Sequence, residues 1–155
     1  GSNLNPRVAS NTVTLDRFNN IVKNPDATFI SLQKGAAVSD IEKFKLEENI
    51  INYDLLMDTG TKKFLDSAAI IKYLDLVITT DTSIAHLAGS LGTQTWLLLP
   101  KVSDWRWLNS KDETIWYDNV RIYRQKVQGD WSEVFSRVEK DCLELVKNIT
   151  ELRKS

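Results

Sequence analysis

A chain of 155 residues, 42% of them hydrophobic, is long enough to fold as a domain with a buried core. Its 20 basic and 21 acidic residues leave a formal net charge of -1, so no strong field points to nucleic acid or an anionic membrane. A single cysteine, Cys142, excludes an internal disulfide framework and leaves too few thiols for a zinc cluster. No apolar run is long enough to span a membrane and no secretion leader is visible, so the expected setting is cytoplasmic.

Gly1-Ser2 fits an expression scar, and residues 1–10, polar and containing Pro6, read as loop or remnant. The domain is expected over 11–150, with 151–155 as a tail. Thr14 is placed to cap a helix running to about Lys23, with Leu15, Phe18, Ile21 and Val22 on its buried face. Residues 27–33, ATFISLQ, predict a strand, and Lys34-Gly35 follows at its carboxyl end. A glycine there lets the backbone bend towards a ligand, and Lys34 can supply a cation to a phosphate. A surface lysine in a turn explains the same residues. The polar stretch 37–48 predicts a loose helix or loop, and 48–53, ENIINY, a short strand. A helix over about 62–73 follows, its inner face Phe64, Leu65, Ala68 and Ile71.

Residues 75–100 read as strand, tight turn, helix, strand. DLVITT (75–80) is a β-branched run of the kind buried on both faces, and TQTWLLLP (93–100) is a second, stopped by Pro100. Between them Ile84, Leu87, Ala88 and Leu91 form one helical stripe, Asp81 stands at the expected N-cap, and Gly92 closes the helix. Two parallel strands joined by a helix make a right-handed βαβ unit, so the predicted class is α/β, a Rossmann-like open and mainly parallel sheet. Ligands in such sheets gather outside the carboxyl ends of the strands, where a helix N-terminus favours anions. Asp81, Thr82 and Ser83 occupy that place. His86 follows Ser83 by three and Thr82 by four, on the same side of the helix start. The group suits a phosphate, and it equally suits a plain helix cap with a structural histidine.

Beyond Pro100, three of the five tryptophans, Trp105, Trp107 and Trp116, cluster with Arg106 and Tyr117. Trp105 and Arg106 are candidates for the wall of a base or sugar pocket, and a satellite hydrophobic cluster that pins the loop accounts for the same composition. VRIYRQ (120–125) predicts an edge strand. Asp130 and Glu133 head a final helix whose stripe runs through Val134, Phe135, Val138, Cys142, Leu145, Val146 and Ile149.

The segments SLQKG (31–35), 74–100, DWRW (104–107), WYDNVRIYRQ (116–125) and GDW (129–131) occur in this order in one family, which the chain resembles over about 11–146. It is the heptosyltransferase-like glycosyltransferase domain found at the C-terminal end of bacterial tetratricopeptide-repeat proteins. The resemblance implies the C-terminal half of a GT-B glycosyltransferase, binding the nucleotide diphosphate of a sugar donor. Asp81, Thr82, Ser83 and His86 would hold diphosphate and ribose, and Gln33 and Lys34 would line the same cleft. The donor would be a substrate, with no cofactor and no metal. The partner would be an N-terminal acceptor half that commonly keeps the catalytic base, so the fragment alone is expected to be inactive. Where the family usually has Arg-Ser, this chain has Asn11-Thr12. That departure supports an alternative, a degenerate interaction domain of the same fold. The family's first, central strand is also absent. From the strand order 3-2-1-4-5-6 its loss predicts closure of 27–33 on 75–80, filling by residues 3–9, or self-association through the unpaired edges.

Overall fold

The computed structural model describes residues 12–35, 39–53, 58–60, 64–107 and 112–155. They form an α/β protein with two sheets, both entirely parallel, of the Rossmann-like open type. The chain divides into two compact units, one within residues 62–134 and the other combining 14–61 with 135–155.

In the second of these, residues 15–22 do not make the continuous capped helix that the pattern predicts. Leu15–Phe18 is a 3-10 turn and Asn19–Val22 (α1) a single α turn, and the Thr14 side chain makes no capping hydrogen bond. Without that bond the first turn tightens onto i+3 partners, as in Arg17 N–H to Thr14 C=O at 3.2 Å. Phe29–Ser31 (β1) and Ile50–Asn52 (β2) pair in parallel, with Phe29 opposite Ile50. Ser39–Lys43 (α2) connects them, and Val22, Ile41, Leu46 and Ile50 make the core, with Phe18 and Phe29 packed on it. The Phe18 and Phe135 rings meet edge to face, centroids 4.9 Å apart.

The other unit holds Leu65–Tyr73 (α3), Val77–Thr80 (β3), Ser83–Leu91 (α4), Thr95–Leu99 (β4) and Val120–Arg124 (β5). The sheet order is β3-β4-β5, with Thr79 opposite Leu97 and Leu97 opposite Ile122. Every residue of β4 is buried, as a central parallel strand between two covered faces requires. Each buried leucine there contributes about 1.5–3 kcal/mol relative to an exposed one. The outer edge of β5 is partly covered, because Glu113 bridges Arg121 and Ile122 N–H reaches Asp112 C=O at 2.7 Å. On its outer side β3 has no ladder partner among the described residues.

Gly92, at φ 77°, terminates α4 in the left-handed region, and Thr93 N–H closes on Ala88 C=O at 3.2 Å. Nothing lies within 4 Å of where a Cβ would stand. A Gly92→Ala change therefore costs only backbone strain, about 1 kcal/mol, read as a lower urea midpoint with an unchanged slope. No change in midpoint would rule out a left-handed cap there.

Two expectations need correction here. In α3 only Ile71 of the predicted inner face is fully buried, while Phe64 and Leu65 are 45% and 60% exposed. Phe64 takes φ 65° and precedes the helix, so the helix starts late and presents Ser67 and Ile71 inward instead. The strands at 27–33 and 75–80 do not close on each other. β1 pairs with β2 and β3 with β4, in separate sheets, so the pairs formed are those the order 3-2 and 4-5-6 would leave without strand 1. Residues 3–9 lie outside the described residues.

The last helix is Ser132–Lys154 (α5), beginning in the first unit and continuing from Phe135 in the other. Asp130 accepts from Ser132 N–H at 2.9 Å at its head, and Glu133 pairs with Lys126 at 2.8 Å. Val134, Phe135, Val138 and Cys142 are buried along the predicted stripe. Burial raises the Cys142 thiol above its ordinary pKa, which keeps it protonated and inert.

Candidate functional site

The carboxyl end of β3 runs directly into the start of α4. Thr80 ends the strand, Asp81 and Thr82 are exposed, and the N-cap is Thr82 rather than Asp81. Thr82 is extended, at φ -136° and ψ 171°, and its side chain makes no capping bond to the first turn. Its hydroxyl lies 3.2 Å from that of Thr79, whose own proton goes to Thr80 C=O at 3.2 Å. A hydroxyl has one proton, so Thr82 is the donor in that pair. The first-turn N–H groups of α4 are thus left without a side-chain acceptor among the described residues, and the helix dipole adds roughly half a positive charge at the same spot.

One turn into the helix, His86 is half-buried and tightly held. Its ring stacks on Trp107 with centroids 5.1 Å apart and planes 25° from parallel. Its Nδ1 is 3.2 Å from the Tyr117 hydroxyl. Side chains on a helix lean towards its N-terminus, so a histidine one turn in stands on the side of the open first turn.

The loop after β4 completes the surroundings. Trp107 is fully buried against Ala85, Leu97, Leu99, Val120 and Ile122, whereas Trp105 is 74% and Trp116 53% exposed. The tryptophan cluster therefore divides, with Trp107 pinning the loop and Trp105 and Trp116 facing outward. Trp116 Nε1 donates to Arg106 C=O at 2.8 Å, and Arg124 donates to Trp107 C=O at 2.8 Å and to the Ser103 hydroxyl. Burial lowers the pKa of the Arg124 guanidinium. Arg106 Nε is 2.8 Å from Asp104 Oδ1, and this hydrogen bond holds the Asp104 carboxyl below the ordinary carboxylate range. The same bond raises Arg106, and the charge of Asp81 adds to that effect, so Arg106 sits within electrostatic reach of the helix start.

Gln33 and Lys34 belong to the other unit, just past the carboxyl end of β1. Gln33 N–H donates to the Ser31 hydroxyl at 3.3 Å, and Lys34 Nζ reaches Asp58 C=O at 3.5 Å. Within that unit an open cavity of about 550 Å³ lies elsewhere, at the amino end of β1 and along β2. Glu42, Glu47 and Glu48 line it, which is the wrong charge for a phosphate.

Among the described residues no group of three His, Cys, Asp or Glu side chains is placed to hold a metal ion, and no helix is long and apolar enough to cross a membrane. Sequence reasoning named His86 but not the residues that fix it. Tyr117 is 31 positions away, beyond any local periodicity. The available signal was Gly89, a costly residue inside a helix that already has Gly92 to close it. No protein-family model, curated protein or solved structure matches the chain.

Proposed function

We propose that the protein is the nucleotide-diphosphate-sugar-binding half of a glycosyltransferase of the heptosyltransferase-like GT-B kind. The diphosphate sits at the start of α4, against the N–H groups of Ser83 and Ile84, His86, and the Thr82 hydroxyl, which turns its proton from Thr79 to the anion. The observation that carries the reading is the uncapped N-terminus of α4 at the carboxyl end of a parallel strand, with an imidazole stacked in place one turn above it. As the sugar departs, negative charge grows on the diphosphate, and fixed dipoles aimed at that charge stabilise it without reorganising. Trp105 offers an exposed indole face for the base or sugar, and Arg106 offsets the charge of Asp81 beside the anion. An acceptor-binding half is the partner that would supply the catalytic base, and the setting is cytoplasmic, in keeping with one buried cysteine.

A second reading is favoured by one feature, the outward-facing Trp105, Ile115 and Trp116. They would suit a protein contact in a domain that keeps the fold and has lost its donor.

Titration with ADP, UDP and GDP, followed by two-dimensional NMR, separates the two. The expected result is shifts centred on residues 81–86 with one of the three. His86→Ala then weakens binding about 10- to 100-fold, the range for losing a hydrogen bond to a charged group. Thr82→Ala weakens it less, because the backbone N–H groups remain. Silence with all three nucleotides would remove the donor-binding reading.

A further inference from the structure

The His86 ring has two nitrogens, and only one of them is engaged. Nδ1 faces the Tyr117 hydroxyl at 3.2 Å, and Nε2 has no hydrogen-bond partner among the described residues. A phenol is a better donor than acceptor, which favours giving its proton to Nδ1 and leaves the neutral ring's own proton on Nε2. A ring in that tautomer offers an N–H to an anion. The opposite tautomer would offer a lone pair and repel it.

The position of Tyr117 is itself set by a glycine. A Cβ on Gly89 would fall 2.7 Å from Tyr117 Cγ and 2.9 Å from both neighbouring ring carbons. Gly89 is buried within the last turn of α4, and glycine inside a helix costs up to about 1 kcal/mol relative to alanine. The close seat of the ring on the bare helix accounts for that cost. Trp107, stacked on the other contact face of His86, stops the imidazole from rotating away.

We propose that Tyr117 is a positioning residue for the diphosphate site: seated on Gly89, its hydroxyl holds His86 with the proton on Nε2, the atom that donates to an anionic oxygen at the start of α4. This rests on the diphosphate reading above and names the atom and tautomer that the site uses.

The chain has a single histidine, so its ring nitrogens are observed without ambiguity. Long-range nitrogen–proton spectra at alkaline pH, without ligand, report which nitrogen carries the proton. The intact protein is expected to show Nε2–H almost alone. Tyr117→Phe, which keeps the ring, and Gly89→Ala, which displaces it, are each expected to admit the Nδ1–H form. With the nucleotide that binds the intact protein, both are expected to lose about three- to tenfold in affinity, the equivalent of one neutral hydrogen bond. An Nδ1–H ring in the intact protein, an unchanged tautomer in Tyr117→Phe, or an altered tautomer with unchanged affinity would each overturn the proposal. If no nucleotide binds the intact protein, the diphosphate reading fails, and the role of Tyr117 at that site falls with it. The ligand-free spectra distinguish that outcome from a failure of the Tyr117 contact.

Discussion

Trp107→Ala is expected to destabilise the protein by about 3–5 kcal/mol, the range for deleting a buried aromatic side chain. Trp107 has no solvent exposure and touches both β4 and β5 as well as Ala85 of α4, so its removal leaves a cavity that three elements would have to move to fill. Single domains are held by only about 5–15 kcal/mol in total, so such a loss is a large fraction of the whole. The indole N–H sharpens the prediction. Trp107 Nε1 is buried without a partner among the described residues, and such a group itself costs about 1–3 kcal/mol to bury. Trp107→Phe loses volume but also removes that orphan donor, so the two effects oppose and the net cost should stay below about 2 kcal/mol. Urea unfolding of the three proteins tests this, and a Trp107→Ala loss under 1 kcal/mol would mean that the loop after β4 is not anchored as described. The phenylalanine variant should also keep nucleotide binding, because a flat ring still lies under His86.

The central strand β4 was legible because burial on both faces selects a continuous apolar run, and β3 beside it because its run is rich in β-branched residues. Residues 75–80 and 93–100 contain β3 and β4, and the weaker 48–53 contains β2. The last helix was legible for the opposite reason, a single stripe sustained over many turns. What failed was local backbone conformation. Nothing in the letters around Phe64 announces a left-handed residue, yet Phe64 takes that conformation just before α3 and stays outside the helix. Thr14 likewise has the right side chain for a cap and does not use it. At the candidate site the helix start was readable to within one residue, since capping chemistry is local. The grip on His86 was not readable. It needs Trp107 from the loop after β4 and Tyr117 from the approach to β5, and only the sheet brings these segments beside α4.

Ser83→Glu is expected to move stability and binding in opposite directions. Ser83 is exposed and opens α4, where a carboxylate interacts favourably with the positive end of the helix dipole. A gain of about 0.3–1 kcal/mol follows, seen as a higher urea midpoint. The same carboxylate occupies the N–H groups that an anionic ligand would use and repels its charge. A nucleoside diphosphate should therefore bind at least about tenfold more weakly, equivalent to about 1.4 kcal/mol. Ser90→Glu is the matched control, on the same helix near its other end. Its hydroxyl donates to His86 C=O at 2.8 Å, and a negative charge there meets the unfavourable end of the dipole. It should lower stability slightly and leave diphosphate affinity within about twofold of the intact protein. Added salt should shrink the stability differences, because exposed charges are screened beyond about 8–10 Å at moderate ionic strength. Equal loss of affinity in both variants would show that the effect is net charge alone, and undiminished binding in Ser83→Glu would show that the ligand does not use the start of α4. Only a loss confined to Ser83→Glu ties recognition to that helix terminus.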